Sequence, residues 1–332
     1  MSRRAWLGLW IAAAALIVPA AHLALGRGVD WSELLAGTDT VSWRVLTELR
    51  LPRLVVAMFA GTALGLAGLA LQSVLRNPLA APELTAVNPS AVLGYLIASG
   101  TGLIDGGSVF SSVLSATVGG LLGGGLLWLV ARRRTSEQTA VLGLLSALAL
   151  TGVVTILIAA RPTGVGGALR WLIGSVEARV AEHVPMIAIP VLAGFAALVL
   201  VADRLEILAV SDSHAHCLGV SPGFWRGVGI GIAVLLASAA VATVGPLAFV
   251  GFVAPHVVRL VFGGRLRRQM VLVAVCGGLF VAASDLIAKA VSLAIQLTGD
   301  GQQVGVPVGA VTCLIGAAAL VAVASSHQES EP

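Results

Sequence analysis

Asp285 lies inside a long apolar run, with Lys289 following one helical turn later. A carboxylate in such a run can carry a proton or hold a cation, and is a functional candidate by default. It can equally be a structural partner, because an acid four residues before a base is the favourable order on a helix. His214, His216 and Cys217 form a second group, of ligand types that suit a transition metal. They crowd into four residues with no further partner nearby, so the spacing matches no zinc site and no metal is assigned. A third kind of chemistry belongs to the backbone. Residues 245–259 read GPLAFVGFVAPHVVR, an apolar stretch broken by two prolines and two glycines and carrying a histidine and an arginine. Residues 72–89, QSVLRNPLAAPELTAVNP, are broken in the same way. Broken backbone survives at membrane depth only where protein or a water-filled cavity surrounds it. Two such segments in one apolar chain point to transport rather than to a passive anchor.

Equally informative is what the residues exclude. Of the 20 basic residues, all but Lys289 are arginine. A phosphate-binding loop needs a lysine directly after a glycine-rich turn. Lys289 sits in SDLIAKAVS, without that turn, so hydrolysis of ATP by that mechanism is excluded. No H-E-x-x-H motif occurs, and the one G-x-S-x-G match, GVSPG at 219–223, lies in a polar link without the strand-to-helix turn that motif needs, so an intramembrane enzyme is not supported. The chain is therefore expected to be no enzyme and to bind no cofactor itself. If ATP drives the chain, another subunit supplies the motor and uses the ATP and Mg. The three cysteines, Cys217, Cys276 and Cys313, are scattered and imply no disulfide framework. A pI near 9.6 does not indicate nucleic acid, because no basic face is interleaved with aromatics.

The elements that must position these groups are apolar helices. The chain has 332 residues, 58% hydrophobic and 11% charged, against about 25% charged in soluble proteins. Apolar runs recur from end to end, giving an all-α, polytopic integral membrane protein with one domain over 1–332. The ten-residue alternation of a membrane β-barrel is missing. About ten spans are expected, over 5–25, 51–75, 86–99, 109–130, 139–160, 185–201, 224–243, 252–262, 270–292 and 306–324. A cleaved signal peptide is the competing reading of the first, but its run is long and many spans follow. Residues 26–50 read as a polar external loop with interfacial tryptophans, Trp31 and Trp43. Residues 161–182 read as a link with a short surface helix, and 203–222 as the longest polar stretch of the second half. Gly61, Gly65 and Gly68 lie near one face of the second span and let helices approach closely. Ten spans put both termini on one side of the membrane. That side also takes the larger share of arginines, including Arg132, Arg133, Arg134, Arg265, Arg267 and Arg268, so both termini are expected in the cytoplasm.

In RNPLAAPE, 76–83, each proline disfavours helix for the residue before it. The pairs Asn77–Pro78 and Ala81–Pro82 therefore stop one helix and reset the chain for the next. Together with R-x-P-R at 50–53 and G-x-x-L-G-L-A-G at 61–68, the stretch Gln72, Asn77, Pro78 and Pro82 resembles the ferric-siderophore and cobalamin permease family. The later motif with Gly251, Pro255, His256 and Arg259 is similar to that family's second signature. So are WLIGS at 171–175, ASDLIAK at 283–289 with Asp285, and PVGAVT at 307–312. These motifs occur in order along nearly the whole chain.

The resemblance implies the membrane subunit of a type II ABC importer in the bacterial cytoplasmic membrane, surrounded by lipid and binding no nucleic acid. Its implied partners are an ABC ATPase dimer, a periplasmic or lipoprotein substrate-binding protein, and a second permease copy or a sister permease. A ferric siderophore is the expected cargo, with haem or cobalamin the alternative. An ion-coupled secondary carrier using Asp285 is the competing class. The stretch at about 205–222 would form cytoplasmic coupling helices that meet the ATPase through Ser213, His214, Ala215, Leu218, Gly219 and Val220, with Val210 where a glycine is usual. Arg50, Arg53 and Lys289 would dock carboxylates of the binding protein, Lys289 standing where arginine is usual. The resemblance also implies a structural role for Asp285. His256 would pack structurally or line the pathway. Two departures stand out. The last span ends GAAALVAVASS, without the usual proline and phenylalanine, which leaves a heterodimer open. The link RRRTSEQ, 132–138, aligns only approximately with the cytoplasmic gate, at Thr135 and Ser136.

Overall fold

A computed structural model of the chain describes residues 3–26, 28–35, 40–104, 108–131, 136–160, 173–298 and 305–328. Every regular element among them is helical. In chain order these are α1 (Arg3–Ala24), α2 (Trp31–Leu35), α3 (Thr40–Arg44), α4 (Leu51–Leu75), α5 (Val87–Gly100), α6 (Val109–Ala131) and α7 (Ser136–Ala159). There follow α8 (His183–Val210), α9 (Asp212–Cys217), α10 (Pro222–Val244), α11 (Val250–Val261), α12 (Leu266–Thr298) and α13 (Val308–Gln328).

Each expected span is a helix, but the helices fall into two classes. Six stretches are long and apolar enough to cross a membrane: Val41–Leu75, Val109–Leu129, Val141–Ala159, His183–Val210, Pro222–Val244 and Leu266–Leu297. The apolar parts of α1, α11 and α13 are shorter, and α5 has 14 residues. Three boundaries differ from the sequence expectation. The end of the expected external loop is helical: α3 runs through a π-helical turn, Val45–Arg50, directly into α4. The sixth expected span extends through Asp203 and Arg204 to Val210, where Ser211 turns extended at φ −165°. The ninth begins at Leu266, immediately after Gly263 and Gly264, whose φ values of 57° and 87° break the chain where other residues would strain.

At the centre stand α4 and α10, with 78% and 83% of their apolar windows buried, against 17% for α7 and 22% for α8. Two glycines set how closely α4 is packed. A Cβ on Gly61 would overlap the carbonyl oxygen of Gly277 in α12, and one on Gly68 would overlap that of Gly251 in α11. Small residues at such crossings let backbones touch where the hydrophobic effect gives no drive. The bundle has two distinguishable ends. Arg53, the end of α1 and the second half of α12 share one. Arg76, α9 and the start of α10 share the other.

Gly61→Ala should therefore destabilise the fold by about 1–3 kcal/mol, since neither backbone can yield without moving a helix. Gly231→Ala is the control. An added Cβ there meets nothing within 4 Å, and removing a helical glycine should stabilise by about 0.5–1 kcal/mol. Thermal melts of the detergent-purified chain measure both; equal melting temperatures for the two variants would refute the close-packing account.

Candidate functional site

The two broken stretches meet. After α4 the backbone of Arg76 turns left-handed, at φ 51°. Asn77 then closes a tight turn: its side-chain oxygen accepts from the Leu79 N–H at 2.9 Å and its carbonyl from the Ala80 N–H at 3.0 Å. Pro82 and Glu83 return into the bundle in a 3-10 turn, and Pro82 stacks on Gly251, which has no side chain to block it. Gln72 ties the pair together. Its Nε2 donates to the Gly251 carbonyl at 3.2 Å, and its Oε1 accepts from Arg259. Phe249, left-handed at φ 65°, opens α11, and Pro255 sits inside that helix. His256 stacks on Phe252 with ring centroids 5.4 Å apart, which fits the packing role. Glu83 was not singled out in the sequence. Both its carboxylate oxygens are buried without a hydrogen-bond partner, and the backbone N–H groups of Phe249 and Gly251 face it at longer reach.

At the Arg53 end Asp285 is 1% exposed and is the hub. Arg53 donates to both its oxygens, at 2.8 and 2.7 Å. His22 lies 2.7 Å from Oδ2 through Nε2, while its Nδ1 faces the Lys289 ammonium at 3.5 Å. Those two partners assign the imidazole proton to Nε2. Lys289 also donates to the His22 carbonyl at 3.2 Å. Asp285 is held by Arg53 and His22, and the expected i+4 ion pair with Lys289 is not formed, Lys289 reaching His22 instead. The docking triad is corrected in part too. Arg50 is 6% exposed and donates to the carbonyls of Leu23 and Ala24, so its guanidinium is spent on the end of α1. Arg53 and Lys289 line an open cavity of about 210 Å³ with Glu177, Gln296 and Gly305.

At the Arg76 end α9 is a short, exposed helix capped by Ser211, whose Oγ accepts from the His214 N–H at 3.0 Å. Ala215 and Val220 are buried, and Ser213, His214, Cys217 and Gly219 are exposed. Leu218, just past the end of α9, is 55% exposed, and Phe224, in the first turn of α10, is 63% exposed. Asp212, also missed in the sequence, joins Arg76 and Arg226. Its signal was weak: it is one of three acids in the polar stretch 203–222, and the arginines that hold it, Arg76 and Arg226, lie outside that stretch.

Two further motifs also find each other. The Gly309 N–H donates to the Gly174 carbonyl at 3.1 Å, and the Ser175 N–H donates to the Val244 carbonyl at 2.8 Å. Of the approximate gate, Thr135 lies outside the described residues; Ser136 begins α7, its side chain likewise outside them. The expected surface helix of the 161–182 link falls largely on residues outside the description. A mainly apolar cavity of about 560 Å³ opens between α5, α6 and α7.

Apolar helices around a core of two interlocked broken segments, with charged clusters at both ends, define a membrane-transport protein of the ABC importer permease architecture. The chain belongs to the FecCD transport family, whose model matches residues 9–326. It is 36% identical over 297 residues to the Fe(3+) dicitrate transport system permease protein FecD of Escherichia coli strain K12, covering 87% of this chain and 88% of that one. It is 34% identical over 285 residues to the ferric enterobactin transport system permease protein FepG of the same organism, covering 83% and 81%. A transporter assigned to the metal-chelate ABC type, solved inward-facing, shares the fold at a TM-score of 0.83. Its identity to this chain is 22%, over 96% of this chain and 98% of that one.

Asp285→Ala should leave the buried His22 and the partly exposed Arg53 without their acceptor, at a cost of about 3 kcal/mol, the low end for a buried pair. The pair replacement Arg53→Met with Asp285→Leu should recover part of that, because it removes the unpaired guanidinium while the buried His22 still lacks its acceptor. Melting curves of the purified variants decide it; a double variant no better than Asp285→Ala would show that the charges act independently.

Proposed function

We propose that this chain is the transmembrane permease subunit of an ATP-driven importer that moves a metal chelate into a bacterial cell. A ferric siderophore or ferric citrate is the first cargo, with cobalamin or haem the alternatives. The observation that carries the proposal is the division of α4. Its core is locked to α11 and α12, one end meets a short exposed helix, and the other meets a basic cavity. A short exposed helix, followed here by the exposed Leu218, can sit in a groove of an ATPase and convey its rigid-body motion. In this reading α9 and both termini are cytoplasmic, which agrees with the arginine distribution. The ATPase supplies ATP and Mg chemistry. A binding protein delivers cargo at the Arg53 end, where Arg53 and Lys289 remain the docking candidates. A second copy or a sister permease completes the pathway, with Thr135 and Ser136 as approximate gate positions. Asp285, held by two partners, is unsuited to the cyclic protonation a secondary carrier needs.

The test uses the complex with its ATPase and binding protein in vesicles, supplied with radioactive iron as ferric dicitrate or ferric enterobactin, or with cobalamin or haem. Uptake of one of these should require ATP and persist when the proton gradient is collapsed at constant ATP. Uptake that follows the gradient instead would favour the secondary carrier and refute this reading. Leu218→Asp, exposed in the chain alone, should leave the permease folded but cut uptake about tenfold or more by placing a charge in the motor contact. Undiminished uptake would remove Leu218 from that contact.

A further inference from the structure

Asp212 is the first residue of α9, and its carboxylate joins three helices. Arg226 of α10 reaches both its oxygens through one nitrogen, at 2.9 and 3.1 Å. Arg76, at the end of α4, donates to one of them at 2.9 Å. The left-handed backbone of Arg76 is uncommon for a residue with a side chain, and it is the conformation in which this guanidinium reaches α9. Arg226 is 16% exposed and its Nε is buried without a partner, and among the described residues its polar contacts go to Asp212. Exposed ion pairs contribute little to stability, and Asp212 is 45% exposed. The value of the arrangement is therefore geometric. Most of α9 faces outward: Ala215 and Val220 anchor it by packing, and Asp212 is the ion-paired group that ties it to α4.

The helix so reached spans the protein. From Arg76, α4 runs through its contacts with Gly251 and Gly277 to Arg53, which holds Asp285. Resting on the importer reading above, we infer that Asp212 is a positioning residue for coupling: it transmits displacement of α9 by the motor to α4 through Arg76, while Arg226 holds the carboxylate in place. Without it, α9 keeps its packing but slips relative to α4, and part of each motor stroke is lost.

The experiment measures cargo taken up per ATP hydrolysed, normalised to assembled complex, in vesicles holding the ATPase and binding protein. The four probes are those named above. Asp212→Asn should lower this ratio at least about fivefold, and Asp212→Glu, which keeps the charge, should restore much of it. Arg76→Gln should lower it as well. If Asp212→Asn fails to assemble, Arg76→Gln carries the test, because it breaks only the link to α4. The control is Arg267→Gln, which removes an exposed pair with Asp203 on the same end, 2.9 Å long, and should leave the ratio as in the wild type. An active wild-type complex with an unchanged ratio in Asp212→Asn or Arg76→Gln overturns the clamp and leaves the importer reading standing. A wild-type complex that moves none of the four probes with ATP overturns the importer reading, and the clamp falls with it.

Discussion

Inside an apolar slab a polar group can be satisfied only by another part of the same chain. Nearly every specific contact in this protein answers that constraint. The carbonyl freed at Gly251 is taken by Gln72, which in turn takes a guanidinium N–H of Arg259. The Asp285 carboxylate is held by Arg53 and His22, and the carbonyls at the end of α1 by Arg50 and Lys289. Three of those groups come from α4 or the turn that leads into it, and α4 is among the most buried helices of the bundle. Glu83 is one of the exceptions, with Asn88 and Ser238: its carboxylate packs against the start of α11 with both oxygens buried.

Much of this architecture could be read from the chain. Long apolar runs fix the helices, because nothing else satisfies a backbone at membrane depth. The prolines and glycines of 72–89 and 245–259 mark where the backbone is broken, and the structure joins those two stretches. Periodicity could not supply the partners. His22 is one histidine in an apolar helix, 263 residues from Asp285, and no local pattern links them. Lys289, four residues from the same acid, was the visible partner and proved secondary. Arg50 and Arg53 stand three apart and look alike in sequence, yet one is spent on the carbonyls that end α1 and the other on a carboxylate. The difference lies in which neighbour each faces, a tertiary fact. Boundaries moved for local reasons: polar Asp203 and Arg204 looked like the end of a span, but nothing breaks the helix before Ser211.

Family membership and the fold agree with the residue-level reading, and they sharpen what the motifs are for. None is a catalytic constellation. R-x-P-R faces ASDLIAK, the stretch starting at Gln72 faces GPLAFVGFVAPHVVR, and the glycine of WLIGS faces that of PVGAVT. Each motif is half of a seam between elements far apart in sequence.

The glycine contacts along α4 have a mechanical consequence. Where backbones touch with no side chains between them, there is no soft layer to shear, so α4, α11 and α12 form one stiff body. On the opposite flank α7 is mostly exposed in the single chain and, with α5 and α6, borders a cavity of about 560 Å³. The α5–α6 pair is stiffened in the same way, since a Cβ on Gly119 would overlap the Ser90 carbonyl, so a change of shape in this subunit would fall at the contacts between these glycine-packed groups and not inside them.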